Sequence, residues 1–172
     1  MNNVIALAQG DAHIVEQDPW VFINSETELV EFSAHQKLIL PFSLWQKCQP
    51  DAVLRGEQQS TQGFWLAPDE EEEPVKQWLA VVPLIALQFP SFRDGRAYTQ
   101  AYVLRTRLCW AGELRAVGDV LRDQLSHMRQ CGFTSFAIRT DKSVTDALKG
   151  LSGISVLYGR SVIQPLPLFR RR

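Results

Sequence analysis

The sequence predicts an α/β domain of about six β/α units, forming a mostly parallel sheet behind an N-terminal β appendage. Three observations predict it. Short apolar, β-prone runs recur at residues 37–40, 63–67, 84–89, 113–117, 135–138 and 154–158. Their centres lie about 20–29 residues apart, a spacing that holds a helix and two turns rather than a hairpin. Leu84-Ile85-Ala86-Leu87 is apolar throughout, as a strand covered on both faces must be. An open, doubly wound, Rossmann-like sheet is the first expectation. A partial TIM-like β/α barrel is the alternative, because spacing does not set strand order.

The elements follow in order. In the appendage, residues 1–35, Trp20-Val21-Phe22-Ile23 reads as a strand expected to pair with residues 12–16. Ser25-Glu26-Thr27-Glu28 fits a capping box opening a short helix, and equally a polar loop. The β/α core, residues 36–160, starts with the strand at 37–40, stopped by Pro41. Asp69-Glu70-Glu71-Glu72-Glu73-Pro74 reads as an acidic helix start, since carboxylates favour the positive end of the helix dipole. Its sharper alternative is a docking surface for a basic partner.

Residues 95–109 carry Tyr98, Ala101, Tyr102, Leu108 and Cys109 on one face at the helical period. Arg105 shares that face and therefore needs a carboxylate or carbonyl partner. In the next helix, residues 120–130, the stripe is Leu121, Leu125 and Met128 with Gln124 beside it. Asp119 stands at its N-cap position and Gly132 at its left-handed end. A shorter helix over 143–149 takes Ser143 as its cap and Gly150 as its stop. The basic tail, residues 161–172, is extended. It either frays or packs Leu166, Leu168 and Phe169 on a neighbour.

Composition narrows the functional classes. The 172 residues are 45% hydrophobic and 22% charged, as in a soluble single domain. No apolar run approaches the ~18 residues of a membrane span. The N-terminus lacks the basic region of a signal peptide, so a cytoplasmic protein is expected. Cys48, Cys109 and Cys131 include no C-x-x-C pair, which argues against a disulfide framework or a thiolate metal site. Three buried or half-buried thiols are the expectation, and no metal is expected.

Net charge is −1, but residues 1–90 hold 4 basic side chains against 13 acidic ones, and residues 91–172 hold 14 against 6. Of those 14 bases 12 are arginines, whose planar fork suits carboxylates and oxyanions. Either the two parts neutralise each other across the fold, or some arginines face an oxyanion. No nucleic-acid-binding motif accompanies them.

In a parallel sheet, ligands bind beyond the carboxyl ends of the strands. Three turns there carry suitable side chains. Arg93, Asp94, Gly95 and Arg96 form the best anion-binding candidate, with two guanidinium groups beside a helix N-terminus. The competing reading has Asp94 capping the helix and pairing with an arginine. Arg139 follows the strand at 135–138 and completes the anion-binding set. Secondary candidates are Arg115, Asp119, Arg122 and Asp123, the last three resembling an acid–base cluster or, equally, a capping aspartate with a nearby arginine. His127 has no evident carboxylate or serine pairing, and His13 and His35 are no better placed, so no catalytic residue is assigned. Cys131, at a helix C-terminus, faces the negative dipole end, which raises a thiol pKa.

The block from Phe89 to Phe133 resembles a bacterial family of unknown function described as probable oxidoreductases involved in sulfite reduction. The family pattern is F-P-x-F-x-D-G-R-G-Y-S, then G-E-L-R-A-V-G-D-V-L-R-D-Q-L, then M-x-R-C-G-F. This chain has Phe89, Pro90, Phe92, Asp94, Gly95, Arg96 and Tyr98, the whole run 112–125, and Met128, Cys131, Gly132 and Phe133. It departs at Ala97, Thr99 and Gln130, where the pattern has glycine, serine and arginine. The resemblance implies an association with the sulfite reductase of sulfur assimilation, and it names no cofactor. The expectation is an accessory protein of assimilatory sulfite reduction that binds a sulfur-pathway partner, such as sulfite reductase, or a small oxyanion. An oxidoreductase acting directly in sulfite reduction and a purely structural or interaction domain are the alternatives, and a homo-oligomer is open.

Overall fold

In a computed structural model of the chain, described over residues 3–25, 36–152 and 156–171, eight strands form one sheet. They are β1 (Val4–Ala8), β2 (Asp11–Val15), β3 (Trp20–Phe22), β4 (Lys37–Pro41), β5 (Gly63–Leu66), β6 (Leu84–Phe89), β7 (Glu113–Gly118) and β8 (Ser135–Ala137). Their order is β2-β1-β8-β7-β6-β5-β4-β3. Every pair from β3 to β8 is parallel, and β1 joins β8 and β2 antiparallel.

This order corrects the doubly wound expectation. A doubly wound sheet reverses direction at a switch point, whereas β3 to β8 advance one neighbour at a time. Right-handed crossovers in such a series place every helix on one face. The opposite face curls inward, so that β3 at one edge meets the far side: Val21 and Phe22 line one cleft with Ala137 and Ile138 around β8. The result is a mixed α/β half-barrel, the architecture nearer to the barrel alternative.

The helices are α1 (Phe42–Cys48), α2 (Asp51–Leu54), α3 (Arg96–Thr106), α4 (Leu125–Cys131) and α5 (Val144–Leu148). The larger core joins Leu40, Phe64, Leu66, Ile85, Leu87 and Phe136 to Trp45 of α1, Ala101 and Leu104 of α3, and Met128 of α4. Alternate strand residues point the other way. Val4, Trp20, Ile39, Leu84, Ala86, Val117 and Ala137 form a second apolar cluster inside the curl.

Several local expectations change. Residues 12–16 overlap β2 and pair with β1, while β3 pairs parallel with β4. The β1–β2 turn has φ of 53° at Gln9 and 97° at Gly10, the signs of a type I′ hairpin. Of the strand expected at 154–158, residues 154–155 lie outside the described residues, and Val156-Leu157-Tyr158 is irregular, with Val156 and Tyr158 exposed. The capping box falls almost wholly outside the described residues. The acidic run leads into a 3-10 helix, Glu73–Trp78, rather than an α-helix, with Glu73 paired to Arg107 at 2.7 Å. The tail is not extended throughout, since it turns through a 3-10 helix at Leu168–Arg170.

Arg105 finds the carbonyl partners it needs, donating to Gly132 O at 2.9 Å and Trp110 O at 2.6 Å. Gly132 ends α4 at φ 101°, and Ser143 accepts the Asp146 N–H at the start of α5. Cys48 and Cys109 are exposed and Cys131 is half-buried, which corrects the expectation of three sheltered thiols. Cys48 is the last residue of α1, where the helix runs out into solvent, and Cys109 sits in a loop at φ 53°.

Candidate functional site

The turns after β6, β7 and β8 meet at one end of the half-barrel, as parallel strands with equal register require. Phe89 pairs with Gly118 at the ends of β6 and β7. Gly118 takes φ 95°, and a Cβ there would lie 2.3 Å from Phe89 O, so both backbone angle and space demand glycine. That turn sends the Asp119 side chain back across the strand ends instead of onto the following helix. Its Oδ2 accepts the Phe92 N–H at 2.8 Å and its Oδ1 accepts Arg139 Nη1 at 2.7 Å. The expected N-cap role is therefore corrected. The chain enters a 3-10 turn, Arg122–Gln124, from Leu121, whose N–H the Gln124 side chain accepts at 2.9 Å.

Arg139 is held from two sides. Besides Asp119, it donates from Nε and Nη2 to the two Asp141 oxygens at 2.6 and 2.9 Å. Asp141 and Asp119 raise the Arg139 pKa, and Arg139 in turn lowers Asp141 to about 2. Three bonds leave two of the five guanidinium N–H groups without a protein acceptor among the described residues.

Arg139 lines an open cleft of about 590 Å³ with Val21, Phe22, Gly118, Ala137, Ile138 and Thr140. Ala137 and Ile138 are buried, and Phe22 stacks at 5.5 Å on Trp65.

The remaining candidates are dispersed. Asp94 accepts Arg96 Nε at 3.0 Å, Arg96 Nη2 at 2.7 Å and the Arg96 N–H at 3.2 Å. The hydrogen bond from Arg96 lowers the Asp94 pKa, and Asp94 raises that of Arg96. Gly95 is the N-cap of α3 at φ −97°, a conformation open to other residues. Arg93 is exposed and joins no ion pair among the described residues. Arg122 turns to Asp146 at 3.1 Å instead of Asp119, and Asp123 is exposed. The presumed acid–base cluster is thus split between two partners on different turns.

Arg115 lies inside the curl, away from the strand ends. It donates to Asp18 at 2.7 and 2.9 Å, to Glu113 at 2.7 Å and to Ser135 at 3.2 Å. Burial opposes its charge, and the Asp18 and Glu113 carboxylates outweigh that, so its pKa is raised.

The best sulfur–imidazole contact is Cys131 Sγ to His127 Nε2 at 3.8 Å, and burial pushes that thiol up to about 11. His127 is exposed, with its ring against Tyr98 at 4.6 Å. Sequence reasoning singled out Arg139, which lines the cleft, and did not name the apolar residues beside it. Phe22 and Ala137 are far apart in the chain, and only strand order brings them together.

A family model described as "Bacterial protein of unknown function (DUF934)" matches residues 63–169. No curated protein and no solved structure matches the chain.

Proposed function

The chain belongs to this bacterial family of unknown function, and from that premise we propose that it is an accessory protein of assimilatory sulfite reduction, binding an anionic group at its strand-end cleft. The pathway assignment rests on the resemblance of the block from Phe89 to Phe133. The binding assignment rests on Arg139, which lines the cleft with N–H donors to spare. Its flanking carboxylates hold the guanidinium in place, and preorganised donors recognise an acceptor at least entropic cost. The anionic group belongs either to a small molecule or to a residue of a sulfur-pathway protein such as sulfite reductase. Arg93, exposed in the turn after β6, is a further cation for the larger partner.

Gene deletion followed by growth on sulfate, sulfite or sulfide tests the pathway assignment. The expected result is growth restored by sulfide and not by sulfite, and unimpaired growth on sulfite overturns it. Co-purification of sulfite reductase with the wild-type chain and its loss with Arg139→Gln would tie the cleft to a protein partner.

A further inference from the structure

We infer that the anionic group taken by the Arg139 cleft is the head of a small monoanion with an apolar body, an aliphatic or aromatic carboxylate or sulfonate, rather than a bare oxyanion. This rests on the binding reading above and specifies its ligand. Three observations converge on it.

The first is volume. About 590 Å³ has room for about twenty waters at ~30 Å³ each. A four- or five-atom oxyanion would leave most of that space to solvent, whereas clefts of this size ordinarily hold organic ligands.

The second is the lining. Val21, Phe22, Ala137 and Ile138 are apolar, and Arg139 and Thr140 supply the polar side chains. A mainly apolar wall with a few polar groups fixes the orientation of a ligand that is itself amphipathic.

The third is charge. Arg139 carries one positive charge between Asp119 at 2.7 Å and Asp141 at 2.6 Å, with Lys142 3.5 Å beyond on Asp141. The four groups sum to zero. A dianion such as sulfate would meet two carboxylates next to its one strong donor, and like charges at that range oppose binding. A single charge on one or two oxygens fits the two remaining Arg139 N–H groups and draws the rest of its affinity from the apolar wall.

Calorimetric titration of the full chain with acetate, butyrate, hexanoate, hexanesulfonate, sulfite and sulfate tests this. Affinity is expected to rise about three- to fourfold for each added methylene, with hexanoate at least tenfold tighter than sulfite. Comparing hexanoate with hexanesulfonate separates carboxylate from sulfonate recognition. Phe22→Ala should flatten the dependence on chain length, and Arg139→Gln should weaken hexanoate at least tenfold. Amide shifts of the wild-type protein, which need no folded variant, should move on hexanoate addition at Phe22, Ala137, Ile138 and Arg139. Sulfite or sulfate binding as tightly as hexanoate at those residues overturns the inference and leaves anion binding standing. No anion binding at all overturns both.

Discussion

Asp119 and Arg139 face each other across the ends of β7 and β8, Oδ1 to Nη1 at 2.7 Å, while the other Asp119 oxygen accepts the Phe92 N–H at 2.8 Å. One carboxylate therefore ties the turns after three consecutive parallel strands. Asp119→Ala should destabilise the chain by about 1 kcal/mol through the lost bond to the backbone. The ion pair adds little beyond this, because Arg139 is partly exposed. Asp119→Asn keeps an acceptor for the Phe92 N–H and should cost less. Urea unfolding measures both, and faster amide exchange at Phe92 in the alanine variant alone would locate the cause.

Asp141 supplies a pH dependence of known sign. Its folded pKa is lowered from 3.8 to about 2 by the hydrogen bond from Arg139. Its contribution to stability is thus fully present above about pH 4 and is lost as pH falls toward 2. Asp141→Asn should unfold at slightly lower urea than the wild type at pH 6, and the gap should close as the pH is lowered from 4 to 2. A gap that widens on acidification would contradict the assigned pairing.

The parts of the fold legible in sequence were those whose local pattern and burial agree. β5 and β6 lie under helices on one face and against the inner cluster on the other, so their residues are apolar nearly throughout. The β1–β2 hairpin was missed although Gln9-Gly10 occupies its two-residue turn, a signal of the recognised kind in a less usual residue pair. At the site, Arg139 and Asp119 stood out as polar residues at strand ends. Their pairing depends on β7 lying beside β8, and the Phe22 wall on β3 closing over the curl. Both are consequences of strand order, to which residue spacing is blind.

The three thiols should separate clearly on alkylation. Cys48 and Cys109 are exposed, whereas burial pushes Cys131 up to about 11. The direction agrees with expectation, but burial rather than the helix dipole is its cause. At pH 8 roughly a thousandth of Cys131 is thiolate, the species that reacts. Iodoacetamide followed by mass spectrometry should therefore label Cys48 and Cys109 first. Early labelling of Cys131 would show that α4 opens locally.

Arg115 offers the sharpest stability test, because its surroundings separate pairing from burial. Its side chain is 3% exposed and that of Asp18 2%, while Glu113 is 35% exposed. Asp18 lies between β2 and β3, so the pair fastens that connection across the inner face of the sheet to β7. Arg115→Met would remove the guanidinium that donates twice to the buried Asp18 carboxylate and should cost about 3–5 kcal/mol. Asp18→Asn leaves Arg115 with Glu113 and Ser135 and should cost less. Adding Asp18→Leu to Arg115→Met removes both buried charges and should recover much of the loss, as apolar replacement of a buried pair commonly does. Urea unfolding of the wild type, Arg115→Met, Asp18→Leu and the double variant forms a double-mutant cycle. A double variant no more stable than Arg115→Met would mean that Arg115 acts mainly through Glu113 and Ser135, with the Asp18 contact secondary.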